Sequence, residues 1–222
     1  FYGMPAGLAN GTNRVGALVQ CIVSIATFRN NNQFKPLLKN SAVLMIPAFI
    51  GAVIGANSAI NIPDETLTKV IGYLMIFMLG IVLLKPKRWL IETVSRENNK
   101  SVLNYLIFFA IGWYAGFIQM GMGILFLAAL VLVSKYSLTH ANMIKIMISF
   151  AILFPALLIY IYNNQVDWEP AIALALGQGL GAWIATKFAL ENKNASVWVR
   201  RILIVMILLA IIKLFNLYTY FI

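Results

Sequence analysis

The chain has 222 residues, of which 61% are hydrophobic and only 11% are charged, and its net charge is +10. Soluble domains are about 45–50% apolar and about 25% charged, so this composition excludes a soluble globular enzyme, a disordered tail and a disulfide scaffold. It predicts an all-α, polytopic membrane protein. The basic residues fall in short segments between apolar runs, which argues against nucleic-acid binding and is typical of cytoplasmic loops.

Several apolar runs are each long enough to cross a bilayer, which requires about 20 helical residues. In chain order, the predicted spans are Ala9–Phe28, Leu37–Ala59, Leu67–Leu84, Ala141–Tyr162, Pro170–Leu190 and Val197–Tyr220. The composition and these spans together predict a multi-pass protein of the cell membrane, with the lipid bilayer as an obligatory partner.

A longer apolar segment, Val102–Val133, follows the third run and is interrupted over Gln119–Gly123. It is either one kinked span or a hairpin of two short helices, because glycines and a glutamine there break a helix. A hairpin puts thirteen basic residues on one side and only Lys69 on the other, whereas a single crossing splits them 8 against 6. Positive-inside bias therefore favours the hairpin, with the basic loops in the cytoplasm. The thirteen are Arg29, Lys35, Lys39, Lys85, Lys87, Arg88, Arg96, Lys100, Lys135, Lys187, Lys193, Arg200 and Arg201.

The chain also contains a weak internal repeat. Asn31–Gln33 recurs as Asn163–Gln165, an offset of 163 − 31 = 132. The loop at the first copy is basic and the loop at the second is acidic, so the halves are inverted, as in many secondary transporters. We expect a first repeat over 1–88, a cytoplasmic linker over 89–100 and a second repeat over 101–222. By this symmetry each repeat is a broken helical hairpin plus three spans, and the first hairpin would precede this chain.

Four basic residues fall outside the predicted cytoplasmic loops, namely Arg14, Lys69, Lys145 and Lys213, and two of them are the more informative. Arg14 and Lys145 each lie about one turn inside a helix, beside Asn13 and Asn142, and the repeat aligns Asn13 with Lys145. Charges at membrane depth usually face a cavity, and helix N-terminal turns attract anions, so the pair predicts an anion site. The alternative is that both side chains contact lipid phosphate at the interface.

A line of polar residues continues from this pair along the helices. Asn13, Gln20, Ser24 and Thr27 share one face of the first span, and Lys145 with Ser149 repeats the pattern. Such a line faces protein or water, either along a substrate path or in interhelical hydrogen bonds. The break would add backbone groups that bind substrate. The predicted substrate-binding residues are Asn13, Arg14, Gln20, Gln119, Gly121, Gly123, Asn142, Lys145 and Ser149.

The sequence contains little that could support catalysis. No Asp or Glu lies within a predicted span, so a carboxylate proton relay is not expected. Cys21 and His140 are the single residues of their types, which predicts no disulfide and no metal site. Without a nucleophile–base pair or a phosphate-binding loop, we expect no catalytic residues, no cofactor and no enzyme activity.

Three features resemble the TauE/SafE family of sulfite and sulfonate exporters: the segment Pro5–Arg14, the glycine-containing break over Gly116–Gly123, and the layout in two halves. The resemblance implies a secondary transporter or facilitator that exports small organic or inorganic anions. Its partners would then be a small anionic substrate and the bilayer, and the oligomeric state is left open. The alternatives are a channel or transporter for a different solute, and a membrane scaffold without transport activity.

Overall fold

The computed structural model describes residues 3–29, 34–83 and 101–191, which form helices joined by short connections. The predicted all-α class is therefore confirmed for this part of the chain. The helices are α1 (Ala6–Phe28), α2 (Phe34–Ile60), α3 (Asp64–Leu83), α4 (Val102–Phe117), α5 (Met122–Ala128), α6 (Leu138–Tyr162) and α7 (Trp168–Glu191), and a π-helical turn over Ala129–Val133 extends α5.

The helices form where the apolar runs predict them. Among the described residues, α2 and α6 are long and apolar enough to cross a membrane by length and composition. Large apolar side chains such as Ile46, Leu176 and Leu180 are exposed on the outside, which suits a lipid environment rather than water. The predicted span Val197–Tyr220 and the linker over 89–100 lie outside the described residues.

The segment between α4 and the start of α6 is a hairpin, as predicted. Helix α4 ends at Phe117, Ile118 is extended, and Gly121 lies in the left-handed region with φ 71° immediately before α5. At the other end, the Ser134 hydroxyl donates to the Asn104 amide oxygen over 3.3 Å. Because this bond joins the first turn of α4 to the end of the π-helical turn, the segment enters and leaves at the same end of the molecule.

The two halves run in opposite directions. Helix α1 begins at Ala6 and α6 begins at Leu138, so the two starts differ by 138 − 6 = 132, the offset of the sequence repeat. The start of α1 lies beside the end of α6, where the Asp167 N–H donates to the Thr12 hydroxyl over 3.0 Å. Helix α1 packs on α7 and its counterpart α6 packs on α2. Matched helices are therefore antiparallel, which is the arrangement of an inverted repeat.

Glycines bring α2 and α4 into backbone contact. A Cβ atom added at Gly55 would overlap the carbonyl oxygen of Trp113, and one added at Gly116 would overlap the carbonyl oxygen of Ala52. Gly51 and Gly112 are equally close to the opposite helix. This small-residue packing is common between membrane helices. It fixes the first arm of the hairpin against α2 and so places the end of α4.

Candidate functional site at the helix break

A cavity of about 550 Å³ lies at the tip of the hairpin, at the end of the molecule where α1 and α3 begin. This volume is within the usual range for small-ligand pockets, about 300–1,000 Å³. Its amide lining comes from Asn10 and Asn13 of α1 and from Gln119 of the break. The other lining residues are Met4, Ala6, Ala9, Thr68, Ile71, Ile118 and Met120.

Arg14 is fully buried next to this cavity, and its partners are backbone carbonyls. Its guanidinium donates to the carbonyl oxygens of Ala115 over 3.3 Å and Gly116 over 2.5 Å, and Cζ lies 4.5 Å above the Tyr160 ring. The carbonyls belong to the last turn of α4, where a helix has unpaired acceptors and partial negative charge. Arg14 therefore caps the first arm of the broken hairpin, and the aromatic face adds a cation–π contact.

Asn10 and Tyr160 complete this cap on the next carbonyl. The Asn10 amide group donates to the Phe117 carbonyl oxygen over 2.9 Å and to the Tyr160 hydroxyl over 2.7 Å. The Tyr160 hydroxyl also lies 3.4 Å from the Phe117 oxygen. Since Asn10 and Arg14 are four residues apart, one face of α1 binds consecutive carbonyls at the end of α4. The break is thus held between α1 of the first repeat and α6 of the second.

Lys145 belongs to a second polar group, outside the lining of the cavity. Its ammonium donates to the Asn142 amide oxygen over 2.7 Å within α6. Gly123, in the first turn of α5, faces the Lys145 side chain, since a Cβ atom added there would lie 3.7 Å from Lys145 Cδ. Lys145 therefore lies beside the second arm of the hairpin, whereas Arg14 caps the first arm.

The structure divides the predicted site residues between these places. Asn13 and Gln119 line the cavity, whereas Gly123, Asn142 and Lys145 lie together beside the second arm of the hairpin. Arg14 caps α4, and Gly121 forms the left-handed turn of the break. Of the other two predicted residues, Ser149 is buried and Gln20 is exposed. Arg14 and Lys145 thus approach the same break from different helices, and neither is among the residues that line the cavity.

Three contributors were missed by the sequence analysis: Asn10, Tyr160 and Gln178. The Gln178 side chain donates to the Asn13 amide oxygen over 2.9 Å, from α7 to α1. A signal existed for two of them. Asn10 lies one helical turn before Arg14 and so on the same face, and Gln178 is an amide in the middle of the apolar run that became α7.

The electrostatics around the break are dominated by positive charge. In the part of the chain that the structure describes, the acidic residues lie at helix ends or in loops: Asp64, Glu65, Asp167, Glu169 and Glu191. Inside the helices, Arg14 and Lys145 therefore face carbonyl, amide and aromatic groups rather than carboxylates.

Comparisons with known proteins agree with this architecture. The family model described as "Sulfite exporter TauE/SafE" matches residues 1–214. A relative from Sinorhizobium sp, described as "Probable membrane transporter protein ORF9", is 25% identical over 209 residues, which cover 94% of this chain and 78% of the relative. No solved structure matches the chain. The family match over nearly the whole chain shows that this chain belongs to the TauE/SafE family of membrane transporters.

Proposed function

We propose that this protein exports small oxyanions of sulfur, sulfite or sulfonates, across the cell membrane, and that it acts as a transporter without enzyme activity. The observation that carries the proposal is the pair of cations, Arg14 and Lys145, set on either arm of the broken hairpin without a carboxylate partner among the described residues. Membership of a family described as sulfite exporters supports the choice of substrate.

The charge of Arg14 is only partly neutralised by its surroundings. A helix end carries about half an elementary charge, whereas the guanidinium carries a full one. The remaining positive potential acts over a short distance in a medium of low dielectric, where Coulomb interactions are stronger than in water. Asn10 and Asn13, which line the cavity, lie on the same helix within a turn of Arg14. The cavity is therefore a favourable place for an anion.

Export of an anion needs no coupling carboxylate in this arrangement. A monovalent anion leaving a cell with a negative interior gains about 2.3 kcal/mol per 100 mV of membrane potential. We assign the basic helix ends to the cytoplasm on the positive-inside rule, which puts the end of the molecule that holds the cavity on the outside. The proposed transporter thus releases its anion from this cavity down the electrical gradient.

The proposal is tested by efflux from proteoliposomes loaded with radiolabelled sulfite or methanesulfonate. We expect efflux above that of protein-free vesicles, and faster efflux when a potassium gradient with valinomycin makes the interior negative. Sodium and glycerol serve as the cation and the neutral solute for comparison. Flux of either of these without flux of an anion would contradict the proposed substrate class and favour a channel or transporter for a different solute.

A further inference from the structure

We propose that Gln178 is a positioning residue that holds Asn13 with its amide N–H group toward the cavity and thereby sets the affinity for an oxyanion. The inference rests on the proposed function, because it concerns the same cavity. Gln178 itself is on α7 and is not among the residues that line the cavity. It acts through its hydrogen bond to Asn13, which is 2.9 Å long.

The packing of α1 on α7 makes room for this bond. Gly16, one turn after Asn13, has no side chain, and a Cβ atom added there would lie 2.7 Å from Gln178 Nε2. The same point is 3.1 Å from the Leu174 carbonyl oxygen, so the end of the Gln178 side chain lies in the space that Gly16 leaves between α1 and α7. In this space Gln178 Nε2 donates to Asn13 Oδ1 over 2.9 Å.

The direction of this bond decides what Asn13 offers to a solute. An asparagine side chain has one carbonyl oxygen and one NH₂ group. Because the Asn13 oxygen accepts from Gln178, its NH₂ group remains for the cavity. Asn10 differs from Asn13, because the Asn10 NH₂ group already donates to the Phe117 carbonyl oxygen and the Tyr160 hydroxyl. Asn13 thus supplies donors that the oxygens of a sulfur oxyanion require, and Gln178 keeps them in place.

The direct test replaces Gln178 with methionine, which has a similar length and no amide. We expect the apparent KM for radiolabelled sulfite efflux to rise five- to tenfold, while Vmax and the amount of protein in the membrane change less than twofold. A tenfold rise corresponds to about 1.4 kcal/mol of binding. The control is Asn57→Met, which removes an exposed amide that bonds to the Val53 carbonyl of its own helix, and which should leave KM unchanged.

A second variant, Gly16→Ala, reaches the same bond without altering Gln178. The added methyl group would displace the flexible end of the Gln178 side chain, so we expect the same rise in KM. An unchanged KM in both variants, or a loss of Vmax at constant KM, would overturn the role of Gln178. If the unmodified protein carries neither sulfite nor methanesulfonate, the proposed function itself fails and this inference fails with it.

Discussion

Arg14 shows how a buried cation can be retained without an acidic partner. Replacing it with glutamine would leave the carbonyls of Ala115 and Gly116 without the donors that now bind them. Each lost bond costs about 1 kcal/mol, so we expect the melting temperature in detergent to fall by roughly 4–8 °C. Arg14→Lys keeps the charge but cannot bridge both carbonyls with the same geometry. Its melting temperature should therefore lie between those of the unmodified protein and Arg14→Gln.

A matched control for Arg14 is Lys69→Gln. Lys69 is paired with Glu65 over 2.6 Å, but its side chain is 65% exposed. Exposed pairs of this kind contribute less than about 1 kcal/mol, so the melting temperature should hardly change. If Arg14→Gln were as stable as the unmodified protein, the cap on α4 would not contribute to the stability of the fold.

Substitution of Lys145, the second cation, is expected to change transport rather than stability. Lys145→Gln removes the charge beside α5 while keeping a side chain that can bond to Asn142. A charge within a membrane helix costs about 2.5–3.5 kcal/mol, so the neutral variant should insert at least as well. We expect sulfite efflux to fall at least tenfold at equal protein amounts, while the exposed Lys187→Gln retains it. Normal efflux by Lys145→Gln would remove this residue from the anion site.

The sequence predicted which residues are unusual but not what they bind. Arg14 was identified because an arginine inside an apolar run is costly, which is a property of its own helix. Its partners, Ala115 and Gly116, are about one hundred positions away and are backbone groups of α4, so no residue type marks them. Gln178 and Asn13 are likewise brought together only by the packing of α1 on α7.

At the scale of the elements, the close contact between α2 and α4 predicts how the protein responds to a single added methyl group. A methyl group at Gly116 would overlap the Ala52 carbonyl, whereas one at Gly181 of α7 meets nothing within 4 Å. Overpacking costs about 1–3 kcal/mol, so Gly116→Ala should lower the melting temperature by several degrees. Gly181→Ala should be neutral or slightly stabilising, because alanine is the better helix former. Equal stability of the two variants would mean that α4 does not pack on α2 this closely.

The positions of the elements themselves were largely predictable. The apolar run predicted over Ala141–Tyr162 became α6 with the same final residue. The break predicted over Gln119–Gly123 overlaps the observed one, which begins at Ile118 and ends at Gly121, since Met122 and Gly123 already belong to α5. Apolar length and helix-breaking residues are local properties, so a single sequence reveals them. The π-helical turn over Ala129–Val133 was not predicted, because its residues are ordinary helix formers whose extra residue per turn depends on packing.

On the scale of the whole molecule, the inverted repeat assigns each loop to one of two ends. One end of the molecule contains the last residues of α1 and of the π-helical turn, together with the first residues of α2, α4 and α6. The opposite end holds the starts of α1, α3 and α7, with Asp64 bonded to the Gly7 N–H over 2.7 Å. Described basic residues such as Arg29, Lys35 and Lys135 lie at the first end, so we expect that end in the cytoplasm.

Cysteine labelling from outside the cell tests this topology in a Cys21→Ala background, where the buried native thiol cannot interfere. Single cysteines are placed at the exposed positions Lys35 and Thr139 at one end, and Asn61 and Asn163 at the other. A membrane-impermeant maleimide should react with the second pair in intact cells and with the first pair only after permeabilisation. Because a hairpin returns the chain to its starting side, Lys35 and Thr139 must behave alike. Opposite behaviour of these two would contradict the hairpin, and labelling of both from outside would reverse the orientation.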